Sequence, residues 1–571
     1  MKRSQPMGAL LSRLEEAKTR RPDGGETARL LRSVGGRVAA DARELVRLHE
    51  ALLFLRAYPH DRRVLAETER LLSTFPARVA RLARKGADLS AFDDPEVSGI
   101  AGSKITTTYS YDVVRWLARR FPRTVRLDWE DYAGADRLRA LFPRFLPLLE
   151  EEALEDANVP YLEWLRAVEP DPRRDLHWLL AALERLPGNR DERAERFEAL
   201  VVPIVWDVGY GRVNRTRLRG KIRPSETFFH PEPFLSRRDV SLARELASPA
   251  LPVRRLPRAE GAAFLELARE STALRYREYY NFTYGNPASV RSAKVGRGVE
   301  IFLVGLERGR RLPLRAGFAA FVLKNGVPIG YFEGLPFFDR IEVGFNMYYT
   351  FREGESAWIF SKFLHLVRQV LGVTSFSIDP YQIGLDNEEG IASGAFWFYR
   401  KLGFRPTDRG VARLLEREER AIAADSRHRS TPEVLRRLVR GSLLYDVDPA
   451  RAGDWDRFHV RRIGLAVQRR MRQRFGGDPL RARRDAARRV ARALGIRPKA
   501  GDAVARETFE DLALVLALVP DLGRWSAAEK EAAARIVRAK SGAEEIPYLR
   551  LSQEHERLRR AVIRLGSSPR A

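Results

Sequence analysis

The sequence predicts a multidomain protein in which a central α/β domain with a mixed sheet is flanked by mainly α-helical N- and C-terminal regions. The chain has 571 residues, too many for one ordinary hydrophobic core. In both terminal regions apolar residues recur three and four positions apart, which is the period of an amphipathic helix. In the middle, short apolar runs alternate with longer helical patterns, and Asn325-Gly326 between two such runs is a strong hairpin signal.

Four regions follow from these patterns. The prediction is a helical N-terminal region at 1–200, an irregular or stranded connector at 201–249, the α/β domain at 250–410 and a basic helical C-terminal region at 411–571. In the connector, β-branched residues, glycine, proline and arginine replace the helical period. From Val411 onward the pattern predicts helices to the end of the chain.

The elements of the central domain are predicted in the order strand, helix, four strands, helix, strand and helix. The helices are expected at Arg258–Tyr280, Glu355–Leu371 and Gly390–Leu402, and Gly403 ends the last of them. Short apolar or alternating runs indicate the strands. These are Pro252–Leu256, Gly298–Gly305, Gly317–Leu323, Val327–Glu333, Arg340–Tyr349 and Val373–Asp379.

The composition excludes several classes of site and location. The chain has no cysteine, which excludes disulfides, a thiol nucleophile and thiolate metal ligands. Its eight histidines are scattered without metal-ligand spacing, so no metal site is expected. The N-terminus lacks the apolar core of a signal peptide, and the apolar run Leu512–Val519 is too short to span a bilayer. We therefore expect a soluble, cytoplasmic protein with no membrane span.

Positive charge is concentrated in one part of the sequence. The net charge is +26, and 21 basic but only 7 acidic side chains lie between Arg427 and Lys499. Within the stretch 461–497, Arg484, Arg488 and Arg492 would share one face of a helix. Such a face is suited to the phosphate backbone of a nucleic acid. The alternative is a solvated helix face, or a face paired with an acidic domain.

The run SGAFWFYRKLGF at Ser393–Phe404, with the Asn-Gly hairpin and the order of elements, resembles the GNAT superfamily of acyl-CoA N-acyltransferases. The resemblance covers about 160 residues of the 571. In the family a helix carries Ala, then Tyr four residues later, and then a Lys-x-Gly-Phe ending. The matching residues are Ala395, Tyr399, Lys401, Gly403 and Phe404.

The resemblance implies an acetyl-CoA or other acyl-CoA cosubstrate, an amine acceptor, and Tyr399 as the general acid for the departing thiolate. A core aromatic is the alternative for Tyr399.

The resemblance also implies where CoA would bind. In the family, the strand before the central helix splays from its neighbour, and the following loop offers backbone N–H groups to the CoA pyrophosphate. That loop would be Thr350–Ala357, with Arg352 as its phosphate partner. Glu355 departs from the family pattern, in which glycine is usual; it can alternatively belong, with Ser356, to a helix N-terminus. The implied CoA-binding residues are Arg352, Glu353, Gly354, Glu355, Ser356, Ala357 and Asn387.

The sequence defines the general base and the acceptor pocket less closely than it defines the CoA-binding loop. Glu333 and Glu342 are the candidates for the base, because they lie on neighbouring predicted strands, and Asp379 is a candidate behind them. The polar segment Asp379–Gly394 lines a substrate pocket or forms a simple turn. Ala392 stands where the family often has asparagine, and Asn387 is the nearest asparagine. The sequence thus predicts a CoA-dependent N-acyltransferase. The alternatives are a degenerate domain whose basic flanks bind nucleic acid or protein and, less favoured, a transferase that uses aminoacyl-tRNA.

Overall fold

The structure, a computed structural model, describes residues 6–19, 23–130, 132–150, 161–209, 211, 213–219, 227–496 and 501–568. Contacts between Cα atoms divide the chain into two compact units. The first, which we call the helical unit, contains Met1–Pro233, Phe264–Thr283 and Asn325–Pro328. The second, the sheet unit, contains Phe234–Ala263, Tyr284–Lys324 and Ile329–Ala571. The four regions suggested by sequence patterning remain predictions.

Ten helices are described in the N-terminal part of the helical unit. Several begin after an aspartate, since the carboxylates of Asp23, Asp41 and Asp61 accept hydrogen bonds from N–H groups of the first turn. Their bounds are Met7–Thr19 (α1), Gly24–Gly35 (α2), Ala42–Ala57 (α3), Arg62–Ser73 (α4), Phe75–Arg84 (α5), Tyr111–Arg120 (α6), Ala135–Arg139 (α7), Tyr161–Val168 (α8), Asp175–Arg185 (α9) and Arg190–Leu200 (α10).

The helical unit also contains a small antiparallel sheet. Its strands are Lys104–Thr107 (β1), Val125–Leu127 (β2) and Ile204–Asp207 (β3), in the order β1-β3-β2. The third strand comes from the segment predicted as a connector, where a stranded structure was one of the expectations. Within that connector, residues 210, 212 and 220–226 lie outside the described part of the chain.

The sheet unit is built on a mixed sheet of nine strands, which confirms the predicted α/β class with a mixed sheet. The strands are Val253–Arg255 (β4), Arg291–Gly296 (β5), Val299–Gly305 (β6), Phe318–Lys324 (β7), Val327–Phe337 (β8), Arg340–Met347 (β9), Ser375–Ile378 (β10), Arg405–Pro406 (β11) and Leu443–Asp446 (β12). Their order is β11-β12-β10-β9-β8-β7-β6-β5-β4. β9 and β10 run parallel, whereas their outer neighbours β8 and β12 are antiparallel to them.

Fifteen further helices are described from Leu242 onward. Their bounds are Leu242–Leu246 (α11), Arg258–Ala273 (α12), Tyr280–Thr283 (α13), Ser356–Leu371 (α14), Pro380–Ile383 (α15), Glu388–Ala392 (α16), Ala395–Arg400 (α17), Arg409–Ala424 (α18), Pro432–Leu438 (α19), Val460–Phe475 (α20), Pro479–Leu494 (α21), Ala503–Leu516 (α22), Ala527–Lys540 (α23), Ile546–Glu554 (α24) and Glu556–Ser567 (α25). None of the helices in the described ranges is long and apolar enough to cross a membrane.

Three predicted elements were wrong in detail. The helix predicted at Gly390–Leu402 is two short helices, because Gly394 takes a left-handed conformation with φ of 66° between α16 and α17. The helix predicted at Arg258–Tyr280 ends at Ala273, a few residues before Tyr276, which also has positive φ. The C-terminal region predicted as wholly helical contributes the strand β12 to the nine-stranded sheet.

The two faces of the sheet differ around β8 and β9. On one face aromatic rings pack against α14, and Phe332 stacks on Phe363 with ring centroids 3.9 Å apart and on Phe345 at 4.6 Å. Since side chains alternate along a strand, Glu333 and Glu342 lie on the opposite face. The two acids predicted as base candidates therefore share the face of the sheet opposite α14.

Candidate active site

The parallel strands β9 and β10 pair over only part of their length. The paired residues are Arg340 with Ser375, Ile341 with Phe376, and Glu342 with Ser377. β9 continues for another five residues, Val343–Met347, which have no partner in β10. The edge of β9 is thus open on this side over its last residues. This opening lies where the resemblance implies a splay, in the strand that precedes α14.

The loop between β9 and α14 is a compact turn that leads into the helix. The N–H of Arg352 donates to the carbonyl of Tyr349 (3.3 Å) and that of Gly354 to Phe351 (3.0 Å). The Ser356 hydroxyl donates back to the carbonyl of Arg352 (3.2 Å). α14 then begins, and the first N–H groups of any α-helix lack acceptors within the helix. The first turn of α14, directly after the loop, therefore offers N–H donors at the positive end of the helix dipole.

Glu355, the acid that departs from the family pattern, is fully buried at the start of α14. Its Oε1 accepts hydrogen bonds from Arg297 Nε (2.8 Å) and from the N–H of Leu235 (3.1 Å). Its Oε2 lies 3.7 Å from Lys324 Nζ, an ion pair longer than a hydrogen bond. Burial lowers the pKa of Lys324 to about 7, although the Glu355 carboxylate raises it in part. The negative charge of Glu355 is thus balanced by basic groups of the protein.

The predicted CoA site combined Arg352, in the loop before α14, with Asn387, in the segment after β10. Arg352 is exposed and forms an ion pair with Glu389 of α16 at 2.6 Å. Asn387 caps the same helix, since its Oδ1 accepts from the N–H of Gly390 (3.2 Å) and its Nδ2 donates to the carbonyl of Tyr381 (3.0 Å). The loop before α14 and the segment after β10 are therefore in contact. Asn387 has a structural partner for both of its amide atoms.

Tyr399 lies in α17 among aromatic rings. Its side chain packs against Phe360 of α14 and against Phe404, with centroids 5.4 and 5.8 Å away. Burial raises the pKa of the Tyr399 hydroxyl well above its usual value, so the group is a proton donor and not a base. Both predicted roles, general acid and core aromatic, are compatible with this position beside the first turns of α14.

Glu333 stands over a gap that Gly344 leaves in the neighbouring strand. A Cβ atom placed on Gly344 would lie 3.2 Å from Glu333 Oε2 and 3.4 Å from Gln382 Nε2. Glu333 makes no ion pair with any other described residue, and desolvation by surrounding protein atoms raises the pKa of its carboxyl group. A carboxylate with a raised pKa and no cationic partner is a suitable general base.

Glu342, the second base candidate, is held by cations. Its carboxylate lies 3.2 Å from Arg315 and 3.4 Å from Arg340, and Arg340 also donates to the Ser377 hydroxyl (2.7 Å). His459 is near this cluster, and burial together with neighbouring arginines lowers its pKa, which leaves the imidazole neutral at pH 7. Glu342 is therefore engaged in ion pairs with two guanidinium groups, in contrast to Glu333.

Sequence reasoning named the loop, Tyr399 and both acids, but not the groups that surround them. Arg297 and Lys324 were missed because they are far from Glu355 in the chain. The Gly-Arg-Gly sequence around Arg297, a turn signal between two alternating runs, was the one available hint. Gly344 was overlooked because its importance lies in the side chain it lacks. No family model, curated protein or solved structure matches this chain.

Proposed function

We propose that the sheet unit is a GNAT-like N-acyltransferase that moves an acetyl or other acyl group from CoA to an amine. The observation that carries the proposal is the unpaired edge of β9, Val343–Met347, which leads directly into the turn before α14. An unpaired strand edge offers backbone N–H and C=O groups to an extended ligand. The helix that follows offers its N-terminus to a phosphate.

The charges around the loop support a pyrophosphate site. An acid at the start of α14 would repel phosphate if it pointed outward, but Glu355 is buried against Arg297 and Lys324. Arg352 lies in the same loop, and its ion pair with the exposed Glu389 is of a type that contributes little to stability. An incoming phosphate can therefore replace Glu389 as the partner of Arg352.

The proposed reaction is a direct transfer. The amine nitrogen of the acceptor attacks the thioester carbonyl carbon, a C–N bond forms and the C–S bond breaks. Glu333 takes the proton that the amine nitrogen loses, and the Tyr399 hydroxyl gives a proton to the departing thiolate. The products are an amide and free CoA, and each residue regains its starting state by proton exchange with water.

Calorimetric titration with CoA and with pantetheine tests the phosphate site. CoA contains the pyrophosphate and pantetheine does not, so Arg352→Gln should weaken CoA binding about 10-fold and leave pantetheine binding unchanged. Arg413→Gln, which removes an exposed arginine from α18, is the matched control and should change neither. Absence of CoA binding by the unaltered protein at millimolar concentration would refute the proposal.

Tyr399→Phe separates the two roles of that residue. The variant keeps the ring that packs on Phe360 and removes only the hydroxyl. If Tyr399 protonates the thiolate, turnover falls while CoA binding is retained. Turnover equal to that of the unaltered enzyme would assign Tyr399 to the core and would leave thiolate protonation to another group.

A further inference from the structure

Helix α21 carries a stripe of arginines that the proposed acyl transfer does not use. Ala482, Ala486, Val490 and Leu494 are its buried side chains. The arginines at 481, 484, 488 and 492 are exposed and, with helical spacing of three and four residues, lie on the side opposite the buried residues. We call these four residues the α21 arginine stripe. At 1.5 Å per residue the stripe is about 16 Å long.

The acids near the stripe are engaged by other arginines. Asp485 lies 3.4 Å from Arg470 of α20, and Asp511 of α22 lies 2.6 Å from Arg483, which is outside the stripe. Within the stripe, Arg481 is 3.4 Å from Asp478. Arg484, Arg488 and Arg492 have no ion pair with any residue in the described ranges. Three guanidinium groups in a row thus face solvent, with no acidic partner in the part of the chain that the structure describes.

The neighbouring helix α20 adds charge of the same sign. Residues 461–494 include twelve arginines and two aspartates. Arg461, Arg469, Arg472 and Arg474 of α20 are exposed as well. Arg497, the last residue of the basic stretch identified in the sequence, lies outside the described residues. A local excess of this kind creates a positive potential that attracts a polyanion.

The other side chains of α20 and α21 indicate which class of polyanion the surface suits. A surface for single-stranded nucleic acid needs aromatic rings on which bases stack, and Phe475 is the one aromatic residue of α20 and α21. A membrane-bound helix needs a broad exposed apolar face, whereas the large apolar side chains exposed on these two helices are Leu465 and Leu480. The major groove of B-form DNA is wide enough for an α-helix, and that of A-form RNA is not.

We propose that the α21 arginine stripe binds the phosphate backbone of double-stranded DNA without reading its sequence. Arginines donate to phosphate oxygens in a geometry that suits the guanidinium fork. Binding should release counterions, so the logarithm of the association constant should fall linearly with the logarithm of salt concentration. This inference is independent of the proposed acyl transfer, because it uses other residues and needs no CoA.

Fluorescence anisotropy with a labelled 30-base-pair DNA over a salt series tests the proposal in the full-length protein. The variant Arg484→Gln/Arg488→Gln/Arg492→Gln should bind at least 10-fold more weakly at low salt and lower the salt slope by about three. The corresponding lysine triple variant keeps the charge and should retain most of the affinity. Thermal unfolding of both triple variants should match that of the unaltered protein, since these side chains are exposed.

The matched control is Arg409→Gln/Arg413→Gln/Arg417→Gln in α18. These three arginines are also exposed, have the same four-residue spacing and lie in a helix of the same length, 16 residues. The control should bind DNA as the unaltered protein does. Equal losses in the two glutamine variants, no loss in the α21 variant, or tighter binding to duplex RNA or anionic vesicles than to DNA would each overturn the proposal.

Discussion

At the scale of single residues, two acids with similar sequence contexts have different surroundings. Glu333 and Glu342 lie on the same face of neighbouring strands. Glu342 is enclosed by Arg315 and Arg340. Glu333 stands over Gly344, has no cationic partner among the described residues, and has a raised pKa. Local charge, which depends on non-local contacts, thus distinguishes two acids that have similar positions in the sequence pattern. This distinction was beyond the reach of the sequence.

Glu333→Gln should lower kcat by a factor of about 10² to 10⁴, because it removes the proposed general base. The pKa of Glu333 is raised, so the base is protonated at acidic pH and activity should increase as pH rises through that pKa. A pH–rate profile of the unaltered enzyme should show this rise above the usual glutamate range, and the variant should lack it. Glu342→Gln should keep the rise, and the reverse pattern would assign the base to Glu342.

Lys324 predicts a pH dependence of stability. Its pKa is about 7 in the folded protein and about 10.4 when unfolded, so between these values the unfolded chain binds more protons and stability should rise with pH. The contribution of this lysine between pH 7 and pH 9 is about 2 kcal/mol. Urea unfolding of the unaltered protein and of Lys324→Met at both pH values measures it. If the unfolding free energy of Lys324→Met rises by the same amount between pH 7 and pH 9, the pH dependence does not come from Lys324.

At the scale of elements, apolar runs predicted most strands of the sheet and helix α14, and Asn325-Gly326 predicted the turn between β7 and β8. β5 was missed because Arg291, Ser292 and Lys294 make it more polar than its partner β6. β12 has two adjacent leucines, Leu443 and Leu444, in a helical context, and it becomes a strand by pairing with β10. Such pairing depends on tertiary structure and overrides local preference.

Gly394 and Gly464 allow the same substitution to be compared in two backbone conformations. A Cβ atom would meet no neighbour within 4 Å at either position. Gly394 has φ of 66° between α16 and α17, so Gly394→Ala should destabilise the protein by about 1 kcal/mol. Gly464 lies inside α20, and Gly464→Ala should stabilise it by about 0.5–1 kcal/mol. Thermal unfolding measures both; shifts of the same sign would contradict this account.

At the scale of the whole molecule, the sheet unit joins residues that are distant in sequence. Arg559 of α25 is buried and donates to both carboxylate oxygens of Asp339, in the turn between β8 and β9, at 2.6 and 2.8 Å. It also contacts Asp454 at 2.7 Å. The last helix is thereby fixed to a central hairpin of the sheet. No periodicity or motif in the sequence indicates this long-range pair.

Arg559→Met should destabilise the protein by about 3 kcal/mol, because it leaves the buried Asp339 carboxylate with the more distant Arg451, 3.4 Å away, in place of two short hydrogen bonds. Adding Asp339→Asn should recover part of the loss. The adjacent Arg560 is exposed and pairs within its own helix with Glu556, so Arg560→Met should change the unfolding free energy by less than about 0.5 kcal/mol. Urea unfolding compares the three variants, and equal effects at 559 and 560 would refute the role of the buried pair.

The position of β12 in the sheet has a consequence for synthesis on the ribosome. β10 needs β12 on one side, yet about 65 residues separate Ile378 from Leu443. At a synthesis rate of about 5–20 residues per second, this edge of β10 remains unpaired for roughly 3–13 s, until β12 has been made. During that interval the nascent chain presents an unpaired strand to other polypeptides. Chaperone capture should therefore be strongest on chains stalled between these two strands and should fall once β12 has emerged.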